Sequence, residues 1–169
     1  MLSSGTGSPC IFAAGTVTAE KLEGSADDSQ ILMIEGGSTA VLNGCDLSGS
    51  GENGVLLYRS SSENEGEGAS NLKAADTKLT SRTEGPLFYV TNTKADVILK
   101  SSELKYEGNV LAKVSGNNIN NWGTPGSNGG NLTLTAIDQK LKGRIICDEI
   151  STVHLKLKES YSFSGSLNS

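Results

Sequence analysis

Ile31-Leu32-Met33-Ile34, Glu35-Gly36-Gly37-Ser38, then Ala40, Leu42, Leu47 and Gly49 spell out a phrase that recurs along this chain. It has an apolar run, a small polar turn, an alternating segment, a second turn and a Leu-centred segment closing near Gly. Pro86-Leu87-Phe88-Tyr89, Thr91-Asn92-Thr93-Lys94, Val97, Leu99, Leu104 and Gly108 repeat it. The third-segment anchors Leu22, Leu47, Leu79, Leu104, Leu141 and Phe163 stand 22 to 37 residues apart. Three short strands per period with almost no helical periodicity predict a stacked β-solenoid. The expected fold is all-β: a right-handed parallel β-helix of about six coils, three short strands per coil. Handedness follows the right-handed preference of parallel crossovers.

Six first strands align: Pro9-Cys10-Ile11-Phe12, Ile31-Leu32-Met33-Ile34, Val55-Leu56-Leu57-Tyr58, Pro86-Leu87-Phe88-Tyr89, Val110-Leu111-Ala112-Lys113 and Arg144-Ile145-Ile146-Cys147. This alignment sets Cys10 in register with Leu32, Leu56, Leu87, Leu111 and Ile145. Both columns of the run are apolar, so the column Phe12, Ile34, Tyr58 and Tyr89 is expected either to face outward or to lie under a loop. In the second strands, alternation points Val17, Ala19, Ala40, Leu42, Leu72, Ala74, Val97, Leu99, Leu132, Leu134, Val153 and Leu155 inward. It points Thr18, Val41, Lys73, Ile98, Thr133 and His154 outward, a column too mixed for a threonine ice-binding array.

Two coils break the period, and both breaks follow the first strand. The insertions cover 59–70 and 115–130, whereas the same turn in the fourth coil takes about four residues. Insertions at one turn position emerge on one edge and often build a binding face. Two such loops flanking a short turn predict a shallow saddle about two strand spacings wide, ~10 Å.

Composition narrows the function. The 169 residues are 36% hydrophobic with 21 Gly, which a narrow solenoid core tolerates. A formal charge of −5, with basic residues scattered singly, argues against a nucleic-acid surface. No apolar run approaches 18 residues, so no membrane insertion is expected. Residues 1–8 do not read as a signal peptide; they read as a leader ahead of one β-helix domain over 9–169, itself a piece of a longer protein. Cys10, Cys45 and Cys147 form no Cys-x-x-Cys pair, so no zinc site is expected, and Cys10, in its apolar run, is expected to be a buried thiol.

Gly85-Pro86-Leu87-Phe88-Tyr89-Val90-Thr91-Asn92-Thr93, Trp122-Gly123-Thr124-Pro125-Gly126-Ser127-Asn128-Gly129-Gly130-Asn131-Leu132-Thr133-Leu134 and Leu141-Lys142-Gly143 resemble the C-terminal coils of large parallel β-helix surface proteins of gut clostridia and related anaerobes. The resemblance covers the chain from about Ser8 onward. It implies an adhesin-like or carbohydrate-binding module of the pectate-lyase-like superfamily, placed at the cell surface or outside the cell. That superfamily also holds polysaccharide lyases and hydrolases. Their clustered aspartates are not matched here, since Asp46, Asp76, Asp96 and Asp138 stand alone and Asp27-Asp28 sits in a turn. A solitary His154 lacks an orienting acid and a cleft.

The expected function is therefore a non-catalytic adhesin or spacer that offers glycan binding at 59–70 and 115–130. A polysaccharide-processing enzyme is the alternative. Trp122 is the central candidate, as a sugar-stacking platform or as an anchor burying its ring under the loop. Asn117, Asn118, Asn120, Asn121 and Asn128 would supply amides, with Arg59, Tyr58 and Tyr89 beside them. Glu63, Glu65 and Glu67 are the weak candidates for calcium, the one cofactor considered, against a solvated acidic tip. Partners considered are a glycan or host-surface ligand, and a second copy joining end to end through open coils.

Overall fold

The computed structural model describes residues 2–60 and 68–169. Among these residues there is no helix, and every strand lies in one of three parallel sheets. The chain visits the sheets in turn, an arrangement compatible with a β-solenoid. The first sheet stacks Ile11–Ala13, Leu32–Glu35, Val55–Tyr58, Phe88–Thr91, Val110–Val114, Arg144–Cys147 and Leu167–Asn168. The second stacks Thr16–Glu20, Thr39–Asn43, Ser70–Ala75, Lys94–Lys100, Asn131–Lys142 and Thr152–Ser164. The third stacks Leu2–Ser3, Glu23–Ala26, Asp46–Gly49, Lys78–Ser81 and Glu103–Tyr106. Leu2–Ser3, expected to precede the repeats as part of a leader, pairs with Glu23–Ala26.

The core is a column of inward aliphatic side chains. Leu32, Ile34, Leu42, Leu47, Leu57, Leu72, Leu79, Phe88 and Leu99 are fully buried in it. Burial of each such side chain stabilises by roughly 1.5–3 kcal/mol, so the column outweighs the thin apolar content. All twelve inward residues expected in the second strands point inward. Those near the ends, Val17, Ala19, Val153 and Leu155, are half-buried and packed against the core.

Registers correct three alignments. In the first sheet Ile11, Leu32, Val55, Phe88, Ala112 and Ile145 share one inward row, which Cys10 precedes by a residue. The outward row is Phe12, Met33, Leu56, Tyr89 and Lys113; Ile34 points into the core, and Tyr58 lies two residues further along its strand than Leu56. A continuous apolar run hides such shifts because both faces are apolar. In the second sheet Ile98 lies beside Thr135 and Lys156, not Thr133 and His154, which stack on Asp96. In the third sheet Gly24, not Leu22, pairs with Leu47.

Beyond the inward stretch of each second-sheet strand the chain turns on one left-handed residue. Lys21, Gly44, Asp76, Ser101, Asp138 and Glu159 occupy this position with φ between 48° and 61°. The third sheet ends at Glu103–Tyr106. In the fifth repeat the chain continues as Asn131–Lys142 and pairs outward with Thr152–Ser164. A cleft of about 450 Å³ opens there, lined by Glu103, Leu104, Tyr106, Lys140 and Lys142. Gln139 closes one end, accepting from Ser102 N at 2.8 Å and donating to Ser102 O at 2.7 Å. The Tyr106 hydroxyl closes the other on Lys142 O.

Candidate functional site

The loop 115–130 lies over the corner between the first and second sheets. Its composition explains how it folds: one Trp, one Ile and a Pro offer little apolar area, so amides replace packing. Asn128 is 1% exposed and donates to Asn117 O at 2.8 Å and Trp122 O at 2.9 Å. Asn117 donates to Thr91 Oγ1 at 2.8 Å and accepts from Ile119 N at 2.9 Å. Gly116 N donates to Asp148 Oδ2 at 2.8 Å, pinning the loop root to the next repeat. Gly123 has φ +74°, and a Cβ there would collide with Asn92 Oδ1.

Trp122 crosses the short turn of the fourth repeat and stacks on Tyr58 of the third, with ring centroids 4.3 Å apart and planes at 30°. Tyr58 is 5% exposed, while Trp122 keeps part of its ring at the surface. Such a pair contributes about 0.5–1.5 kcal/mol beyond its area burial. Burial and the neighbouring Glu35 carboxylate, which accepts from the phenol, push the Tyr58 pKa up to about 12. The described roots of both insertions therefore meet over the fourth repeat, as their shared corner predicts. The Trp122 ring stacked on Tyr58 lies between these roots; the expected saddle falls largely on 61–67, outside the described residues.

Asn92 ties the two roots together from the short turn. Its N–H donates to Asn128 O at 2.9 Å and its side chain donates to Arg59 O at 2.9 Å. Arg59 in turn donates to Gly68 O at 3.1 Å. Asn92 sits at φ 52°, a conformation that Asn tolerates better than most residues. Asn92, Thr91 and Asp148 were not among the sequence candidates. The signal for Asn92 was available: an Asn in a two-residue version of a corner that elsewhere carries the insertions.

The remaining candidates separate into two groups. Asn117 and Asn128 hold the loop itself, their amides engaged in hydrogen bonds within the chain. Asn118, Asn120 and Asn121 are exposed beside Trp122. Tyr89 is half-buried; its hydroxyl donates to Gly116 O at 3.3 Å and Lys113 Nζ stands 5.4 Å from its ring centroid. Glu63, Glu65 and Glu67 lie outside the described residues.

Among the described residues, charged side chains elsewhere are dispersed. Among the described residues no three His, Cys, Asp or Glu side chains gather as a metal-holding group. Asp46 pairs with Lys78 at 3.0 Å, and Asp27 with Arg82 at 3.3 Å. His154 is exposed on the second sheet. All three cysteines are free; burial pushes the Cys10 and Cys147 thiols up, away from the reactive thiolate. Among the described residues no helix is long and apolar enough to cross a membrane. Comparisons with family models, curated proteins and solved structures return no match.

Proposed function

We propose that this chain is a non-catalytic module built on a right-handed parallel β-helix of about six coils, acting at the cell surface or outside the cell as an adhesin or spacer with a glycan-binding edge. The observation that carries the reading is the Trp122–Tyr58 stack. One ring face is held rigidly on the body of the sheet while exposed Asn118, Asn120 and Asn121 stand beside it. A pre-set aromatic with amides at its rim suits a sugar's apolar face and hydroxyls. Dispersed acids favour binding over lyase or hydrolase chemistry, which needs carboxylates arranged together. The resemblance to clostridial adhesin-like proteins points the same way.

A glycan array probed with the wild-type chain and with Trp122→Ala tests this reading. Signals that the variant loses support it; signals shared by both proteins place binding elsewhere. Because the ring is partly buried, the variant should also lose about 2 kcal/mol of stability, below the ~3–5 kcal/mol of a full core truncation. Release of unsaturated product from polygalacturonate with calcium present would replace this proposal with the enzymatic alternative.

A further inference from the structure

The outward face of the second sheet is basic in a protein whose formal charge is −5. Lys73, Lys94, Lys100, Lys156 and Lys158 project from its strands, against Glu20 and Asp96 as the acids before the corner. Between the lysines the surface is neither flat nor polar. Val41, Ala75, Ile98 and Ile137 line a groove of about 340 Å³ that crosses five strands, with Lys73 standing between Val41 and Ile98 in one row and Lys100 between Ala75 and Ile137 in the next. Val41, Ile98 and Ile137 are half-buried although they point away from the core. Five strands span four spacings, roughly 19 Å.

The lining decides what fits. It has no aromatic ring, so neither sugar faces nor nucleic-acid bases find a stacking partner. An aliphatic lining with lysines set into it is a pattern that receives the apolar face of a helix. The strand spacing of about 4.8 Å is close to the 5.4 Å helical pitch, so side chains one turn apart fall on successive strands. About 13 helical residues cover 19 Å. We propose that this groove docks an acidic amphipathic helix of a partner protein. Leu or Ile side chains seat on Val41, Ile98 and Ile137, and flanking carboxylates reach Lys73 and Lys100. Glu20, at the far end, selects a basic residue there. This site is separate from the Trp122 edge and does not depend on it.

Fluorescence anisotropy with a labelled amphipathic peptide of about 14 residues, Leu on one face and Glu on the flanks, tests the proposal. The control peptide carries Lys in place of Glu. The acidic peptide should bind at least about tenfold more tightly than the basic one. Ile98→Asp and the double variant Lys73→Glu/Lys100→Glu should each weaken it by about tenfold or more, and Lys105→Glu on the third sheet should not. Circular dichroism checks that each variant is folded; the lysine pair, being exposed, keeps the test valid if Ile98→Asp is not. No binding up to about 1 mM overturns the proposal. So does equal affinity for both peptides, or indifference to the lysine variant. An acidic polysaccharide that binds through the lysines and ignores Ile98→Asp would also overturn it, in favour of a polyanion site.

Discussion

Each repeat turns two of its corners in opposite ways. From second sheet to third, the chain spends two residues between strands in each of the first four repeats and runs on through the corner in the last two. From first sheet to second it spends anything from two residues, at 92–93, to sixteen, at 115–130. The difference lies in what carries the hydrogen bonds. At the constant corner the ladder never stops: Lys21 N donates to Asn43 O at 2.9 Å, Gly44 N to Ala75 O at 3.0 Å and Asp76 N to Lys100 O at 3.0 Å. The next residue points inward and adds a side-chain rung. Cys45 N donates to Thr77 Oγ1 at 3.3 Å, and Thr77 N to Ser102 Oγ at 3.2 Å. At the variable corner backbone rungs also cross between repeats, Gly37 N to Gly68 O at 3.0 Å and Asn92 N to Asn128 O at 2.9 Å. Within the long loop 115–130, however, the backbone is met by side chains such as Asn117 and Asn128, which tolerate extra length. A corner held by a rung at every residue is closed to insertion, whereas a corner held only at its ends is free to acquire a surface.

The sharpest way to break this comparison is to insert the same two residues at both places. Gly-Ser placed after Asp76 interrupts the rungs to both neighbouring repeats and shifts the following strand. The expected loss is more than ~3 kcal/mol, from several backbone hydrogen bonds at about 0.5–1.5 kcal/mol each and misplaced core residues. Gly-Ser placed after Gly126 lengthens an exposed stretch and should cost less than ~0.5 kcal/mol. Urea denaturation of the two proteins measures both. Equal losses would show that the two corners are mechanically alike.

A smaller effect separates the corners by side chain alone. Gln139 and Asn128 are both buried amides that bond to backbone, one at each corner. Replacing either with Leu leaves buried partners unmet and should cost about 1–3 kcal/mol. The losses should differ in reach. Asn128→Leu releases Asn117 O and Trp122 O, so hydrogen exchange and proteolysis should rise within 115–130 and little elsewhere. Gln139→Leu removes the link across the open cleft, so exchange should rise in Glu103–Tyr106 and along Asn131–Lys142. Confined exchange in both variants would mean that the constant corner is no more continuous than the loop.

The constant corner was nearly invisible in the sequence, although it is the most regular feature of the fold. Its left-handed position is filled by Lys, Gly, Asp, Ser, Asp and Glu, so the shared quantity is a backbone angle and not a residue type. The second-strand alternation was legible because its outward partners are polar, as at Lys73 and Thr133. The first-strand register was not, because Phe12, Met33, Leu56 and Tyr89 are as apolar as the residues facing the core. For the loop, the sequence identified Trp122 and the Asn cluster as special. It could not say that Tyr58 lies beneath the ring, since that contact depends on which residue of the third repeat ends its first strand. Nor could it divide five asparagines into two that hold the loop and three that face outward.

The finest test of the comparison reads how tightly the variable corner is sealed over Tyr58. Burial and the Glu35 carboxylate raise this phenol's pKa to about 12, above its ordinary value near 10. Below about pH 10 the phenol is protonated in both folded and unfolded chains, and its contribution is fully present. Between about pH 10 and 12 the unfolded chain gives up this proton first, so the folded state is increasingly disfavoured as pH rises. Tyr58→Phe removes that penalty. At pH 7 the variant loses its hydrogen bond to Glu35, which costs less than ~1.5 kcal/mol because the apolar ring remains under Trp122. The stability gap between the two proteins should then narrow from about pH 10 upward, read as converging urea midpoints. Every other titratable group is common to both proteins and cancels in the difference. Parallel curves would mean that water reaches the Tyr58 hydroxyl, and that Trp122 rests on the ring without closing the corner above it.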